Sequence, residues 1–447
     1  MGDEAGDVII LGAGAAGLNA ARLLTQRGYY VTLIEARDRI GGRIWTIHPA
    51  ESPIPIEFGA AFAHGRPPEM IDLFRQARVT LYELPNHMLS ITRGRSMASD
   101  EDDDEDDSNP ILDAIMAWDG ADMSLDDFIA TQGSGPAWRA ASAMTRGYVA
   151  GYGGADPATV SVRWWAQTER AEARIQSDRA SFLLEGYGKL TDWLLAACDA
   201  RRLTLRLNTV ATRVTWRSGQ VTVALRTPDG EPLAPISAAR LIVTLPIGAL
   251  AAEAGAEGAM RFDPPLPELA SALEGVAMGH AARVVLRLRE RFWDGAPDDP
   301  FYHPRLSFLR SDHPLMPTWW TNYPILVPLI TGWVGGPIAE RFNAQGDSAA
   351  LVAAATRALG NITRLGPAHA AALVAQGYAH NWSADPYARG GYSYLTVGGI
   401  EKLEPLTRPI ANTLYFAGEA TDTQGYTGSV HAALATGTRA AGQITGP

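Results

Sequence analysis

The chain begins with a run of four apolar residues, Val8–Leu11, which predicts a buried strand of a parallel sheet. Gly12, Gly14 and Gly17 follow directly, and apolar residues at helical spacing come next. The segment YYVTLIE then predicts a second strand that ends in Glu35. This order of strand, glycine turn, helix and strand predicts the first βαβ unit of a doubly wound α/β domain.

The glycine turn has the chemistry of a phosphate site. Gly12 allows a tight turn, Gly14 lets the backbone approach a pyrophosphate, and Gly17 lets helix and strand pack closely. The helix N-terminus adds free N–H groups and a partial positive charge. Glu35, about 20 residues on, is placed to accept a ribose hydroxyl. The sequence therefore favours a dinucleotide site over a turn without a ligand.

The next segment, EARDRIGGRIWT, adds a second glycine pair and more cations. Gly41 and Gly42 permit another close backbone approach, and Arg37 and Arg43 can neutralise phosphate charge. The alternative for the two arginines is a solvated loop. Beside a phosphate turn, we favour the ligand-binding interpretation.

A matching half-site lies near the far end of the chain. Thr413–Ala417 predicts a strand, followed by a Gly-Glu turn, a polar loop and a helix of small residues. The N-terminal end of that helix, near Ser429–His431, would direct a partial positive charge at whatever precedes it. The two ends of the chain are therefore predicted to complete one domain.

These segments resemble the flavin amine oxidase superfamily, which includes monoamine oxidases, polyamine oxidases, lysine-specific histone demethylases and L-amino-acid oxidases. The resemblance covers most of residues 1–447, apart from Asp100–Asp107. It implies a mixed α/β and α+β fold, with a Rossmann-like FAD-binding domain and an inserted substrate domain of a sheet and helices. The expected FAD-binding domain is residues 1–65, 185–275 and 400–447, and the expected substrate domain is residues 66–184 and 276–399.

The resemblance also assigns cofactor contacts. It places Glu35 on the adenosine ribose, Glu419 on the ribityl–phosphate region, Val210 at the adenine, Val430 at the flavin ring and Trp382 on the flavin side. The residues expected to hold FAD are Gly12, Gly14, Ala15, Ala16, Gly17, Glu35, Ala36, Arg37, Gly42, Arg43, Gly59, Ala60, Ala61, Phe62, Val210, Trp382, Gly418, Glu419, Ser429 and Val430. We predict non-covalent FAD, because Tyr392 lies near the place where monoamine oxidases carry an attachment cysteine.

The implied reaction is oxidation of a neutral amine over the flavin. Hydride passes from the α-carbon to N5, water hydrolyses the imine, and oxygen reoxidises the flavin to give hydrogen peroxide. Tyr392 matches one wall of the family's aromatic slot, and Ser429 aligns with the opposite wall. His64, in AHG, matches a histidine near the substrate amine of many polyamine oxidases; its alternative is a structural histidine.

Arg283 is the clearest departure from the family, which usually has a lysine here, linked through water to flavin N5. Arginine stays protonated and is bulkier. If Arg283 faces the flavin, oxygen reactivity could be slow or another acceptor could serve. Arg287 and Arg289 follow in the same alternation, so a solvated basic face is the alternative.

Charge and composition exclude several functions. The net charge is −11, and Asp100–Asp107 supplies eight negative charges, which leaves −3 elsewhere. The chain thus lacks the excess of positive charge that is typical of nucleic-acid-binding proteins, and no nucleic acid partner is expected. The acidic run is expected on a mobile loop near residues 97–109, solvated or able to attract polycations. The nine histidines have neither HxxxH nor HxH spacing, so no metal site is predicted.

The same features suggest a cytoplasmic protein. Cys198 is the only cysteine, and the sequence has no secretory signal pattern and no apolar run of membrane-spanning length, so no membrane partner is expected. Oxygen is the expected acceptor and a small amine the expected substrate.

The AHG segment and the local acidity favour a polyamine oxidase. An L-amino-acid oxidase would need an arginine clamp, for which Arg66 or Arg283 can be proposed. A flavin-bearing interaction or regulatory protein with weak or no oxidation is a third possibility. The sequence does not give the oligomeric state.

Overall fold

The computed structural model describes residues 7–92, 95–99, 109–297 and 301–446. Its strands are β1 (Val8–Leu11), β2 (Val31–Ile34), β3 (Thr46–Ile47), β4 (Ile56–Glu57), β5 (Phe62–His64), β6 (Leu81–Glu83), β7 (Met88–Thr92), β8 (Arg95–Ser99), β9 (Ala180–Leu183), β10 (Leu203–Arg206), β11 (Val210–Arg217), β12 (Gln220–Arg226), β13 (Pro232–Ala238), β14 (Arg240–Val243), β15 (Arg261–Asp263), β16 (Val276–Met278), β17 (Ala281–Leu288), β18 (Phe308–Ser311), β19 (Thr318–Trp320), β20 (Leu329–Gly335), β21 (Val374–Ala379), β22 (Ser393–Leu395) and β23 (Leu414–Phe416).

Its α-helices are α1 (Ala15–Gln26), α2 (Pro68–Ala77), α3 (Pro110–Met116), α4 (Leu125–Thr131), α5 (Pro136–Gly153), α6 (Val162–Arg174), α7 (Gly188–Ala196), α8 (Ile247–Leu250), α9 (Pro267–Gly275), α10 (Gly336–Asn343), α11 (Ser348–Ile362), α12 (Pro367–Leu373), α13 (Gly399–Leu403) and α14 (Val430–Thr445). Short 3-10 helices are Phe292–Asp294, Glu404–Thr407 and Glu419–Thr421.

A five-stranded parallel sheet joins distant parts of the chain, in the order β10-β2-β1-β14-β23. Apart from the edge strand β10, its strands are mostly buried and apolar, as expected for a sheet covered on both faces. Helices α1 and α14 pack together: a Cβ added at Gly437 would lie 2.4 Å from Ala16 O. Asn19 also donates from Nδ2 to Leu434 O at 2.9 Å. The predicted convergence of the two chain ends is confirmed.

A larger mixed sheet is built mainly from the middle of the chain. Its seven strands have the order β21-β17-β20-β19-β18-β7-β8, and apolar residues of α10, α11 and α12 share a core with it. A smaller sheet, β5-β9-β6, carries Phe62–His64 antiparallel to Ala180–Phe182. These sheets and helices confirm the predicted mixture of an α/β unit with a sheet-plus-helices unit.

The predicted elements agree closely with the observed ones. The first strand has the predicted bounds, and α1 and α14 begin beside the predicted glycine turn and polar loop. The acidic run Asp100–Asp107 lies outside the described residues; β8 extends to Ser99 before it, and Asn109 caps α3 after it. The exact bounds of the two domains stay a prediction.

Candidate functional site

The first glycine turn combines tight packing with one open position. Gly12 has φ +102°, and a Cβ there would lie 2.6 Å from Thr244 Oγ1. A Cβ on Gly17 would lie 1.9 Å from Gly12 O. A Cβ added on Gly14, by contrast, would have Gly41 O as its nearest atom outside the neighbouring residues, at 3.9 Å. Helix α1 also starts without a side-chain cap or an acidic residue in its first turn. The turn thus leaves space and backbone N–H groups for an anion.

Glu35 lies at the end of β2, beside this turn. Its side chain is buried; Oε2 accepts from Ala13 N at 2.9 Å, and Oε1 accepts from Arg37 N at 3.0 Å. Arg37 pairs with Asp385 at 2.7 Å, which ties the turn to the segment that contains Trp382. Val210, predicted at the adenine, begins β11 and follows Thr209, whose N–H donates to Glu35 O at 2.9 Å.

An ion pair connects the two predicted half-sites. Arg43 Nη1 donates to Glu419 Oε1 at 2.7 Å and to Gly391 O at 2.9 Å. The other carboxylate oxygen, Oε2, accepts from Ser393 Oγ at 2.6 Å and from Gly428 N at 3.0 Å. Glu419 is buried, so this network holds a charge-assisted contact between segments 376 residues apart. We call the Gly12–Gly17 turn, Glu35, Arg43 and Glu419 the cradle.

A small cavity opens at the carboxyl ends of β14 and β23. Its walls include Arg43, Thr244, Gly418 and Glu419. Ligands of open α/β sheets bind outside the carboxyl ends of the strands, at the point where the strand order reverses. The cavity and the open Gly14 therefore fit the predicted pyrophosphate, and the buried Glu35 fits the predicted ribose.

The segment from Gly59 to Phe62 runs close to other backbone. A Cβ on Gly59 would lie 1.8 Å from Arg43 O and 3.4 Å from Trp382 Cζ2. Trp382 is buried, and its Nε1 donates to Phe58 O at 2.8 Å. Ala60 N donates to Arg43 O at 3.2 Å. These contacts bring the predicted flavin-lining residues of both halves of the chain together.

Four half-buried aromatic side chains lie side by side: Phe62, His64, Tyr152 and Tyr392. We call this cluster the aromatic pocket, because the resemblance predicts the substrate amine there. The His64 ring centroid is 5.6 Å from that of Phe62 and 5.4 Å from that of Tyr152. Tyr392 Oη donates to Tyr152 O at 2.6 Å. A Cβ on Gly428 would lie 3.2 Å from Tyr392 Cδ2, so Tyr392 packs on the turn that leads into α14. The structure thus places Tyr392 and His64 at one site.

Two histidines near this pocket are held neutral. Burial lowers the pKa of His64 to about 4. Burial, together with the neighbouring His64, lowers the pKa of His431 to about 4. His431 lies 4.7 Å from the ring of Tyr426. Neutral imidazoles at physiological pH leave the pocket without cationic charge from these groups, which suits an amine ligand.

A pair of carboxyl groups on α6 was not predicted from the sequence. Glu172 Oε1 accepts from Tyr152 Oη at 3.1 Å, and burial raises the pKa of Glu172 to about 7. Burial also raises the pKa of Glu169, one helical turn earlier. The available signal was the spacing of these two acids, three apart, on a helix that also buries Trp165.

Ser429 and Tyr426 make hydrogen bonds to backbone atoms and do not form a second aromatic wall beside Tyr392. Ser429 Oγ caps α14: it accepts from Ala432 N at 3.1 Å and donates to Tyr426 O at 2.7 Å. Tyr426 Oη donates to Ala171 O at 3.1 Å, which directs it to α6. The catalytic role of Ser429 stays a prediction. Val430 is the first residue of α14, at the helix end predicted to face the flavin ring.

Arg283 is buried and not part of a solvated face. It is 8% exposed, Nη1 donates to Gly59 O at 3.2 Å, and its guanidinium lies 5.4 Å from the ring of Trp320. Arg289 is the exposed residue of the series. The alternative of a solvated basic face is therefore wrong for Arg283, whereas its predicted position facing the flavin stays a prediction.

Two absences hold for the described residues. No group of three or more histidine, cysteine, aspartate or glutamate side chains there is placed to hold a metal ion. Within the same ranges, no helix has the length and apolar character needed to cross a membrane.

Comparisons with known proteins extend these observations over the whole chain. A family model described as flavin containing amine oxidoreductase matches residues 15–120 and 119–445. The chain is 27% identical to probable polyamine oxidase 4 of Arabidopsis thaliana, over 97% of this chain and 86% of that protein. It is 25% identical to lysine-specific histone demethylase 2 of Homo sapiens, over 98% of this chain and 53% of that protein.

Solved structures share the fold. Cyclohexylamine oxidase from Brevibacterium oxydans IH-35A superposes with a TM-score of 0.78 at 20% identity, covering 98% of each chain. Wild-type putrescine oxidase bound to putrescine superposes with a TM-score of 0.76 at 18% identity, covering 98% of this chain and 99% of that one.

Proposed function

The chain belongs to the family of flavin-containing amine oxidoreductases, and we propose that it is an FAD-dependent oxidase of a diamine or polyamine. It removes a hydride from the α-carbon of a neutral amine, water hydrolyses the resulting imine, and oxygen accepts the electrons to give hydrogen peroxide. The observation that carries the substrate class is the carboxyl group of Glu172, bonded to Tyr152 at the edge of the aromatic pocket.

The cradle fits FAD. The open space at Gly14, the uncapped start of α1 and the cavity beside Arg43 suit the pyrophosphate, and Glu35 suits the adenosine ribose. When bound, FAD supplies the two-electron acceptor. Binding is non-covalent: Cys198, the only cysteine, is buried and lies after α7, where its Sγ donates to Leu194 O. Acid precipitation of the purified protein should therefore leave all flavin in the supernatant.

The chain's own residues position the amine. Tyr392, fixed by its bond to Tyr152 O, forms one wall of the pocket, and His64 forms another with an imidazole that stays neutral. Burial also raises the pKa of Tyr392, so its phenol stays protonated. A buried, uncharged aromatic wall favours the neutral form of the reacting nitrogen, because an ammonium loses its hydration there.

Glu172 and Glu169 place acidic groups at the edge of this pocket, in contrast to its uncharged aromatic walls. A carboxylate at Glu172 attracts a distant ammonium of a molecule whose reacting nitrogen is neutral. One end of the substrate is then held by charge, while the other is held by aromatic packing. These two different environments suit a substrate with two or more amino groups better than a monoamine.

An L-amino-acid oxidase is the second candidate, and one observation favours it. Arg66 pairs with Glu83 at 3.1 Å and is thereby engaged, whereas Arg283 has no carboxylate within 4 Å among the described residues. A buried, unpaired guanidinium is a plausible partner for a substrate carboxylate.

One experiment separates these candidates. Purified protein is mixed anaerobically with spermine, spermidine, putrescine, benzylamine, L-leucine or isoamylamine, the decarboxylated amine of L-leucine. Bleaching of the flavin absorbance is followed before air is admitted and peroxide is measured. Faster bleaching by a polyamine or diamine than by benzylamine supports the proposal. Faster bleaching by L-leucine than by its decarboxylated amine supports the second candidate. Bleaching without peroxide would mean that oxygen is not the acceptor.

A further inference from the structure

A second, small cavity lies between β4, β17 and β20. No residue of the aromatic pocket lines it, within the part of the chain that the structure describes. Apolar and polar residues both line it, and its polar side chains are five. These are Glu57, Tyr82, Arg283, Asn322 and Thr331.

Arg283 lacks an anionic partner in this cavity. Its only hydrogen bond to the described residues runs from Nη1 to Gly59 O, at 3.2 Å, and its Nε is buried without a partner. The residue is only 8% exposed, so water cannot solvate the charge freely. A guanidinium has five N–H groups, and burying it without a counter-charge is costly.

Glu57, the carboxyl group in the same cavity, is engaged elsewhere. Its Oε2 accepts from Thr46 Oγ1 at 2.7 Å, and its Oε1 accepts from Tyr187 N at 2.7 Å. Burial raises the pKa of Glu57 to about 7, and burial lowers the pKa of Arg283 to about 10. Neither group therefore fully compensates the desolvation of the other.

We propose that this cavity binds a small monovalent anion of the class of nitrate, formate or bromide, held by Arg283. The free Nε edge of a guanidinium donates in the fork geometry that suits planar oxyanions. Tyr82 adds a second donor: its Oη accepts from Asn322 Nδ2 at 3.2 Å and keeps its own proton to donate. The anion compensates the buried charge, and the small size of the cavity excludes large ions.

A free anion and the carboxylate of a substrate share this chemistry. The two sources are distinguished by kinetics: nitrate competes with L-leucine oxidation if the carboxylate occupies the cavity. Nitrate does not inhibit L-leucine oxidation competitively if the site binds only free anions. This kinetic arm rests on the proposed function, whereas the binding measurements below use no amine and no turnover.

The test compares nitrate titrations of three purified holoproteins by their unfolding temperature. Wild type and Arg287→Gln should gain about 2 °C or more in a saturable manner at millimolar nitrate, and Arg283→Gln should gain none beyond the general salt effect. Arg287 is the matched control, since it lies on the same strand, does not line the cavity and has Glu51 nearby. Equal gains in all three proteins, or a gain only at molar nitrate, would overturn the proposal.

Crystals of the wild-type protein soaked in sodium bromide provide a second measurement, which does not depend on the folding of a variant. An anomalous bromide peak within hydrogen-bond distance of the Arg283 guanidinium supports the site. Bromide only at surface positions refutes it. Should Arg283→Gln not fold, Arg283→Lys takes its place in the titration. Lysine keeps the positive charge but lacks the paired N–H donors of a guanidinium, so the nitrate affinity of this variant should fall about tenfold.

Discussion

The cradle and the aromatic pocket meet at one site, but they use different parts of the polypeptide. The cradle depends mainly on backbone: Gly12 and Gly17, which have no room for a Cβ, the open Gly14, a helix end, and one ion pair between the chain ends. The pocket depends on side chains from α5, α6, β5 and the segment before β22. A backbone site tolerates almost no substitution, whereas a side-chain site can be altered for a new substrate without loss of the fold.

The sharpest test of this contrast lies within the cradle, at two of its glycines. Gly17→Ala places a Cβ 1.9 Å from Gly12 O, so we expect a loss of about 3 kcal/mol or more in the free energy of unfolding, and little soluble holoprotein. Gly14→Ala meets no protein atom closer than 3.9 Å, so the fold should persist while flavin content falls. Urea denaturation and the ratio of flavin to protein absorbance measure the two effects.

If Gly14→Ala keeps full flavin content, the open space at that position does not hold the phosphate. If Gly17→Ala is as stable as wild type, the packing argument is wrong.

The next largest effect is expected at the ion pair between the chain ends. Glu419→Gln leaves Arg43 without its counter-charge, and we expect a loss of about 3 kcal/mol together with weaker flavin retention. Asp72→Asn is the matched control, because it breaks an exposed pair with Arg75 and should change stability by less than about 0.5 kcal/mol. Both values come from urea unfolding, and retention is measured by dialysis. Equal losses in the two variants would show that the chain ends are held by packing alone.

Most of the cradle could be predicted from sequence, because the requirements of its glycine turn are local. A strand, three glycines and an acid at fixed spacing give Gly12, Gly14 and Glu35 directly, and a resemblance supplies Glu419. Glu172 could not be found in this way, since its partner Tyr152 lies on another helix and nothing in the spacing pairs them. The burial of Arg283 could not be predicted from the sequence either. Arg283, Arg287 and Arg289 follow the same alternation, and their exposure differs only because of how the sheets pack.

A substitution at Glu172 tests the pocket side of the comparison. Glu172→Gln removes the charge but keeps the bond to Tyr152, so we expect the KM for spermine to rise about tenfold while that for benzylamine stays within about twofold. Glu401→Gln, on the surface beside Arg163, is the control and should change neither KM. Peroxide release under air provides both values. A parallel rise for both amines would assign Glu172 a structural role.

The pH dependence of this effect has a definite sign. The pKa of Glu172 is raised to about 7, so the group is mostly neutral at pH 6 and mostly ionised at pH 8. The ratio of spermine KM in Glu172→Gln to that in wild type should therefore be larger at pH 8 than at pH 6. Spermine carries ammonium groups at both values, so a flat ratio would mean that the charge of Glu172 does not contact the substrate.

The smallest effect is expected at Ser429, which belongs to both regions: it caps α14 in the cradle half and aligns with a wall of the pocket. Loss of an N-cap hydroxyl costs about 1 kcal/mol, so in a chain of 447 residues Ser429→Ala should lower the unfolding temperature by about 1 °C. Ser429→Asn keeps a capping oxygen and should restore most of that loss. If Ser429 acts only as a cap, kcat/KM for spermine stays within about twofold in both variants. A larger change in kcat/KM that Asn does not rescue would place the hydroxyl against the substrate and make Ser429 the point where backbone and side-chain requirements coincide.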